Sequence, residues 1–203
     1  MKNFLITQNV SYDSKKGYQF SLSKDWFDYS AKIGINLIPY NYRFSPKYLI
    51  NLKIEGVIFS GGNDLYHLNK KKENFFRDKE EKKLFKYFSI KNMPILGICR
   101  GFQFIAHKFD GSIVKSKNHI KKKQKIYLLK NNFLKDKSLY VNSYHKFSVN
   151  FLPKNFEIIA RHKDKSIEIA RYKKIYCLMF HPERKNYSQK KIDQLLKKIL
   201  KMI

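Results

Sequence analysis

The apolar residues in the first half of the chain alternate between short continuous runs and stretches with helical spacing. Short apolar runs are typical of buried strands, and apolar residues at i, i+3, i+4 and i+7 are typical of helices. The runs predict strands at residues 3–8, 35–39, 55–60 and 94–98. The helical spacing predicts helices at residues 22–34, 45–52, 78–92 and 101–109. Strands that alternate with helices indicate βαβ units and a mostly parallel sheet with helices on both faces.

The second half of the chain is richer in strand and ends in an amphipathic helix. The pattern predicts strands at residues 112–115, 126–130, 139–142, 156–161, 166–171 and 175–180. The last predicted helix, residues 188–202, carries apolar residues on one face and lysines on the other. The chain has 203 residues and no internal repeat or linker. We therefore expect an α/β fold in which residues 1–203 form a single domain.

A cysteine lies at the junction between a predicted strand and a predicted helix. The apolar run 94–98 leads directly into Cys99, and the helix follows it. Gly97 and Gly101 lack the side chains that would clash in a tight turn. This pattern is typical of a nucleophile elbow, in which the helix N-terminus stabilises an anionic sulfur. The alternative is an inert buried cysteine, which is common in protein cores.

A second candidate pair follows another apolar strand far downstream. His181 and Glu183 stand two residues apart, so both side chains can project to the same side of an extended segment. A thiol nucleophile needs a base, and the base needs a carboxylate that orients it. The alternatives are a surface loop without function and a metal pair, for which no third ligand stands at a recognisable spacing. Together with Cys99, the pair favours a Cys-His-Glu triad.

These motifs in combination resemble the class I glutamine amidotransferase family, and more narrowly its γ-glutamyl hydrolase branch. The resemblance rests on Gly-Ile-Cys-Arg-Gly-Phe-Gln at residues 97–103 and His-Pro-Glu at residues 181–183. Three further segments also resemble the family: residues 4–9, 56–64 and 141–145. The resemblance implies a flavodoxin-like three-layer sandwich with a nucleophile elbow. It also implies hydrolysis of a small γ-glutamyl amide through a γ-glutamyl thioester, without a metal or another cofactor.

The resemblance also implies roles for single residues. Cys99 would be the nucleophile, His181 the base and Glu183 the residue that orients the base. The oxyanion hole would be formed by the backbone of three residues: Gly62, Asn63 and Arg100. The substrate would be bound by Gln103, Ser143, Tyr144 and His145. Without the resemblance, these seven positions indicate only a strand–loop turn, an exposed helix residue and an ordinary strand end.

The chain is strongly basic, with 43 Lys and Arg against 16 Asp and Glu and a formal net charge of +27. Such a charge invites a nucleic-acid partner. The lysines are spread along the whole chain, however, and no nucleic-acid-binding motif accompanies them. We therefore expect a compositional bias and a solvated loop at the densest basic run, residues 115–125, rather than a nucleic-acid interface. The charge would also suit a leaving group that carries phosphates, such as a nucleotide-linked amide.

The chain has two cysteines and no apolar run long enough to cross a membrane. The N-terminus lacks the apolar core of a signal peptide. We therefore expect a cytoplasmic protein without membrane insertion and without a disulfide framework. The sequence leaves the oligomeric state open.

Two other functions remain open at this point. The chain could be a glutaminase subunit that supplies ammonia to a separate synthetase, because such a subunit would share every predicted catalytic residue. It could instead be a basic protein that binds nucleic acids or anions without catalysis. The elbow and the His-Pro-Glu segment favour a free-standing γ-glutamyl hydrolase.

Overall fold

The computed structural model describes residues 1–43, 45–116, 119–129 and 134–202. The strands and helices of the first half are β1 Lys2–Ile6, β2 Asn9–Asp13, β3 Gly17–Ser21, α1 Lys24–Ile33, β4 Ile35–Pro39, α2 Pro46–Asn51, β5 Ile54–Phe59, α3 Lys72–Ile90, β6 Ile95–Ile98 and α4 Arg100–Lys108. Those of the second half are β7 Ser112–Lys115, β8 Ile120–Leu128, β9 Ser138–Tyr144, β10 Phe147–Phe151, β11 Glu157–His162, β12 Ile167–Tyr172, β13 Ile175–Leu178 and α5 Gln189–Met202.

The main sheet of the described residues is mixed, with the order β4-β1-β5-β6-β13-β12-β11-β8-β9. The neighbours from β4 to β13 pair in parallel. From β13 to β9 they pair antiparallel. β7 and β10 pair beside this path, and β2 and β3 form a separate hairpin. The predicted α/β class is therefore confirmed, and the parallel part of the sheet is the part that the βαβ pattern predicted.

The helices cover both faces of the parallel strands. Phe4 and Ile58 belong to an apolar cluster that includes residues of α1 and α5. Leu5 and Val57 belong to a second cluster, which includes residues of α2, α3 and α4. Adjacent residues of one strand thus enter different layers, as the two-residue repeat of a strand requires. Among the helices of the described residues, none is both long and apolar enough to cross a membrane.

The carboxyl ends of β5, β6 and β13 lie side by side in the sheet. Ligand sites in parallel α/β sheets form at this edge. The loop at residues 60–63 follows β5, Cys99 follows β6, and His181 follows β13 by three residues. The fold therefore brings together at one edge the three segments that are far apart in the sequence.

Three strands, β2, β3 and β10, are absent from the sequence-based prediction. The β2–β3 hairpin is mostly exposed, so no continuous apolar run marks it. β10 is short, with only two buried residues. The helix predicted at residues 78–92 begins earlier, at Lys72. Its first turns were not predicted because they are rich in charged residues and lack an apolar stripe.

The solvated loop predicted at residues 115–125 is wrong over most of that run. Residues 120–128 form strand β8, which pairs with β11 on one side and β9 on the other. Gln124 and Ile126 are buried between exposed neighbours, so the strand alternates as a half-buried strand should. The ammonium groups of Lys123 and Lys125 lie over the ring of Tyr140, at 4.4 and 5.9 Å from its centroid. Part of these predictions lies outside the described residues: residues 117 and 118 of the predicted loop, residue 130 of the predicted strand 126–130, and the side chain of Lys121.

Close packing at the elbow explains both of its glycines. An added Cβ at Gly101 would lie 1.9 Å from the carbonyl oxygen of Phe59, so α4 rests directly on the end of β5. An added Cβ at Gly97 would lie 2.5 Å from Cδ1 of Ile105. The predicted reason for the two glycines, the avoidance of side-chain clashes, is confirmed by these distances.

We predict that Gly101→Ala lowers the free energy of unfolding by about 3 kcal/mol or more, because the clashing atom is backbone and cannot move cheaply. The matched control is Gly34→Ala, since Gly34 has a φ of 80° and open space around it. The control should lose only about 1 kcal/mol, the cost of a left-handed conformation for alanine. Urea unfolding of both variants measures the difference. A Gly101→Ala variant as stable as Gly34→Ala would refute the packing argument.

Candidate active site

Cys99 occupies a strained turn between β6 and α4. Its backbone has a φ of 52° and a ψ of −105°, a conformation that residues other than glycine seldom adopt. The Cys99 N–H donates to the carbonyl of Leu178 on β13 at 2.8 Å, which fixes the turn against the neighbouring strand. Such strain costs about 1–3 kcal/mol and is concentrated at functional sites. The geometry is that of the predicted nucleophile elbow.

His181 and Glu183 form a buried pair beside Cys99. Nδ1 of His181 lies 2.7 Å from Oε1 of Glu183. The Cys99 thiol lies close enough to the same imidazole to affect its pKa. Burial alone would lower the pKa of His181, but the adjacent Cys99 and Glu183 outweigh it and raise this pKa to about 10. His181 thus lies next to both of the other residues predicted as a triad.

Asn142 holds the backbone of His181 on both sides. The His181 N–H donates to Oδ1 of Asn142 at 2.9 Å, and Nδ2 of Asn142 donates to the His181 carbonyl at 2.8 Å. Asn186 donates to the same carbonyl at 2.9 Å. The sequence analysis placed Asn142 in a family-like segment but gave it no role. A single sequence contains no signal that would have shown this cross-strand contact.

The loop after β5 packs directly on His181. An added Cβ at Gly61 would lie 2.4 Å from Cε1 of the His181 ring, so only glycine fits there. Gly62 has a φ of 113°, which turns the chain sharply. The Gly62 N–H, in this loop, remains a candidate donor of an oxyanion hole. The Arg100 N–H at the first turn of α4 is the other candidate, since the first N–H groups of a helix have no intrahelical acceptor.

The predicted use of the Asn63 amide needs correction. The Asn63 N–H donates to Oδ1 of Asn9 at 3.0 Å, so this donor is already occupied. The Asn63 side chain exchanges two hydrogen bonds with the backbone of Val10. Asn63 therefore fastens the loop to the β2–β3 hairpin.

A buried ionic cluster lies beneath the loop and the elbow. Arg77 donates to the carbonyls of Ser60 and Gly61 at 2.8 and 3.0 Å, and its Nε donates to Glu81 at 2.8 Å. The other carboxylate oxygen of Glu81 accepts from the guanidinium of Arg100. Burial alone would raise the pKa of Glu81, but the two arginines hold it below its usual value. Glu81 thus joins the loop after β5 to the first residue of α4.

This cluster was not predicted from the sequence either. Arg77 and Glu81 stand four residues apart on a helix rich in charge, where an exposed ion pair is the ordinary expectation. Their spacing was the available signal, but hydropathy cannot distinguish a buried charged face from a solvated one.

The four predicted substrate contacts differ in position. Tyr144 is partly exposed and lies edge-on to the His181 ring, with a centroid distance of 5.9 Å. Gln103 is buried, and its Nε2 donates to the carbonyl of Phe147 at 2.8 Å. Of the four, Tyr144 has the position expected of a substrate contact.

Ser143 and His145 point into the protein, which corrects two of these predictions. The Ser143 hydroxyl is fully buried and donates to the carbonyl of His119 at 2.6 Å. The buried His145 ring contacts His119 and the carbonyl of Phe147. In β9, Ser143 is buried and the next residue, Tyr144, is exposed. Their side chains point to opposite faces of the strand, so they cannot line the same pocket.

A cavity of about 370 Å³ opens beside the pair. Gly61, Gly62, His181, Glu183 and Arg184 contribute to its wall. The Arg184 guanidinium lies 4.9 Å from the centroid of the Tyr144 ring, so a cation stands at the edge of this cavity. Lys122 and Lys123 of the basic run line a different cavity. Cys177 is fully buried within β13, and burial raises its thiol pKa, which is the environment of an inert core cysteine.

Comparisons with known proteins agree on one family. The family model for glutamine amidotransferase class-I matches residues 12–200. The γ-glutamyl-CDP-amidate hydrolase of Campylobacter jejuni is 33% identical over 183 residues, which cover 88% of this chain and 86% of that protein. A subunit of the glutamine-hydrolysing GMP synthase of Methanosphaera stadtmanae is 33% identical over 153 residues, 73% of this chain and 74% of that protein.

Solved structures show the same fold. A putative GMP synthase subunit from Thermoplasma acidophilum superposes with a TM-score of 0.76 at 21% identity, over 100% of this chain and 95% of that one. A glutamine amidotransferase from Thermotoga maritima gives a TM-score of 0.72 at 15% identity, over 99% of this chain and 97% of that one. The predicted flavodoxin-like fold is thereby confirmed. With the family match over residues 12–200, these findings show that the chain belongs to the class I glutamine amidotransferases, enzymes that hydrolyse amides with a cysteine nucleophile.

Proposed function

We propose that this enzyme hydrolyses the γ-glutamyl amide bond of a small molecule through a γ-glutamyl thioester on Cys99. The observation that carries the proposal is the buried contact between His181 and Glu183 beside a cysteine in a strained elbow. A base that is oriented by a carboxylate and touches a thiol is the arrangement that activates a cysteine nucleophile.

In the first half of the reaction, the thiol proton of Cys99 passes to His181, whose raised pKa favours its cation, and the resulting thiolate attacks the γ-carbonyl carbon. The tetrahedral intermediate collapses, the C–N bond breaks, and His181 delivers the proton to the leaving nitrogen. In the second half, water attacks the thioester and gives one proton to His181, which returns it to the sulfur as L-glutamate leaves. Glu183 holds the imidazole orientation and stabilises its cation throughout.

The developing oxyanion would accept from the N–H groups of Gly62 and Arg100. Donors fixed before the reaction are worth most, because they do not need to reorganise as the charge develops. The contacts of Arg77 with the carbonyls of Ser60 and Gly61 support such rigidity, since they hold the loop that ends at Gly62.

The finer proposal concerns the leaving group. We propose a nucleotide-linked amide, γ-glutamyl-CDP-amidate, with L-glutamate and cytidine diphosphoramidate as products in bacterial capsular phosphoramidate assembly. The name of the Campylobacter relative and the net charge of +27 support this substrate. Arg184 at the cavity edge offers a charge-assisted contact to a phosphate. The two free thiols suit a reducing cytoplasm, where we propose that the enzyme works as a single domain.

The similarity to the GMP synthase subunit of Methanosphaera supports a second candidate, a glutaminase that passes ammonia to a separate synthetase. The chemistry at Cys99 would be the same, but free glutamine would be the substrate. Glutamine turnover that appears only when a synthetase is added would favour this candidate over a free-standing hydrolase.

We predict that Cys99→Ala abolishes turnover, while Cys177→Ala keeps most of the activity of the folded protein. Cys99 loses the attacking sulfur, whereas Cys177 is fully buried within β13. Initial rates on a γ-glutamyl amide, with circular dichroism as a check of folding, measure the difference. Equal losses in two folded variants would exclude Cys99 as the nucleophile.

A second prediction concerns the pH dependence. The pKa of His181 stands at about 10, so its imidazolium persists below that pH and proton donation to the leaving nitrogen is lost as pH rises through about 10. Glu183→Gln removes an adjacent anion, so the alkaline fall of kcat/KM should move about 1–3 units lower. Glu55→Gln, at an exposed position of β5, is the matched control and should leave the profile unchanged.

The rates of the variants provide a further check on the same pair. His181→Ala should lose nearly all activity and Glu183→Gln less, because glutamine preserves part of the geometry. The double variant should lose no more than His181→Ala alone, since triad members act as a unit. An active His181→Ala variant, or an alkaline limb that Glu183→Gln does not move, would contradict the proposed roles.

A third prediction concerns the leaving group. The kcat/KM for a γ-glutamyl nucleoside diphosphate amide should exceed that for neutral γ-glutamyl-aminobutyrate, and the advantage should shrink with added salt. Arg184→Gln should raise KM for the nucleotide amide by about tenfold or more, the worth of a charge-assisted hydrogen bond, without changing KM for the neutral amide. Lys122→Gln, which lines another cavity, is the control. If the neutral amide is equal or better at both salt concentrations, the nucleotide substrate is wrong and the general hydrolase proposal still stands.

A further inference from the structure

Three of the six histidines gather in the antiparallel part of the sheet, away from the Cys99 elbow in the sequence and in the strand order. His119 precedes β8, His145 lies between β9 and β10, and His162 ends β11. Asp164 follows in the next turn, and Glu168 projects from β12. The proposed reaction uses none of these side chains.

Hydrogen bonds fix one ring nitrogen of His119 and one ring nitrogen of His145 as donors. Nε2 of His119 lies 2.7 Å from Oδ2 of Asp164, and Nδ1 of His145 lies 3.0 Å from the carbonyl oxygen of Phe147. A carbonyl oxygen only accepts. The Asp164 carboxylate also accepts from the N–H and the hydroxyl of Ser166, at 3.0 and 2.7 Å, so it faces His119 as an acceptor.

The remaining nitrogens of these two histidines face each other. Nδ1 of His119 and Nε2 of His145 are 3.3 Å apart. A neutral His145 that donates from Nδ1 to the Phe147 carbonyl carries a lone pair on Nε2. A neutral His119 that donates from Nε2 carries a lone pair on Nδ1. Two lone pairs at this distance repel each other unless a cation or a proton lies between them.

A buried carboxylate completes the cluster. Glu168 is fully buried, and its Oε2 has no hydrogen-bond partner among the described residues. A carboxylate oxygen of Glu168 lies within 4.8 Å of ring nitrogens of both His119 and His145. An unpaired buried carboxylate is costly, so such a group either takes up a proton or is compensated by a cation.

We propose that Nδ1 of His119, Nε2 of His145 and a carboxylate oxygen of Glu168 bind a divalent transition-metal ion, with zinc as the first candidate. Zinc–nitrogen bonds of 2.0–2.1 Å in a tetrahedral site separate two ligand nitrogens by about 3.3 Å, the separation that these rings have. Two imidazoles and one carboxylate are an established ligand set for this ion and leave a fourth position for water.

The hydrogen bonds made by the outward-facing nitrogens of His119 and His145 have the form that metal-bound histidines require. Such histidines donate their other N–H to a carboxylate or a backbone carbonyl, which fixes the tautomer and the ring orientation. Asp164 has this role for His119, and the carbonyl of Phe147 has it for His145. The Phe147 carbonyl also accepts from Gln103 of α4, so the ion would fasten the β9–β10 turn behind the elbow helix.

Metal content tests the proposal directly. The full-length protein, stripped with a chelator and dialysed, should take up one zinc ion per chain in a titration against a fluorescent zinc indicator. Cobalt(II) should bind in its place and give the visible absorption of a tetrahedral site. Zinc should also raise the melting temperature of the stripped protein, a readout that does not depend on activity.

Variants locate the ion. His145→Ala and Glu168→Gln should each abolish stoichiometric zinc binding. Asp164→Asn should weaken zinc binding by about 10- to 100-fold, because Asp164 orients the His119 ring. His107→Ala, at an exposed position outside the cluster, and Cys99→Ala, which removes a competing thiol, should both retain it.

Two results would overturn the proposal. One is a stripped wild-type protein that takes up neither zinc nor cobalt. Its nitrogen NMR spectrum would then show both ring nitrogens of His119 protonated, because a proton would lie between Nδ1 of His119 and Nε2 of His145. The other is unchanged zinc affinity in folded His145→Ala or Glu168→Gln. If those variants fail to fold, the uptake and the rise in melting temperature of the wild type decide alone.

Discussion

The buried carboxylate of Glu81 is the interaction on which the geometry of the site depends. It binds Arg77 with one oxygen and Arg100 with the other, and all three side chains are buried. Arg77 in turn holds the carbonyls of the loop after β5. Removal of one partner from such a cluster leaves an uncompensated buried charge, at a cost of about 3–5 kcal/mol. The loop and the elbow are therefore fixed relative to each other by charge as well as by packing.

The sheet supplies the second part of the arrangement. β5, β6 and β13 end side by side, and each contributes one component: the loop with Gly61, the elbow at Cys99, and the turn with His181. Glycine at position 61 lets the loop touch the imidazole, and Asn142 clamps the backbone of the same histidine from β9. The strained φ at Cys99 persists because these contacts leave the chain no relaxed alternative.

Local patterns predicted the residues whose chemistry is visible in the sequence. Cys99 and His181 could be found because each follows an apolar strand and carries a reactive side chain in a recognisable motif. Asn142 and Glu81 could not, since their roles depend on contacts between distant segments. The Asn63 amide and the Ser143 hydroxyl were wrongly placed in the site, because hydrogen bonds to Asn9 and to the His119 carbonyl decide where those donors point. The first part of β8, residues 120–125, was missed because long lysine side chains hide its two-residue alternation from a hydropathy pattern.

The central claim is a covalent γ-glutamyl thioester on Cys99, and the most direct measurement is its capture. The Glu183→Gln enzyme would be mixed with a γ-glutamyl amide, quenched in acid during turnover, digested, and examined by mass spectrometry. The account predicts that the peptide containing Cys99 gains the mass of one glutamyl group and that the peptide containing Cys177 does not. Product formation with no acylated Cys99 at any quench time, or acylation of Cys177 instead, would contradict it.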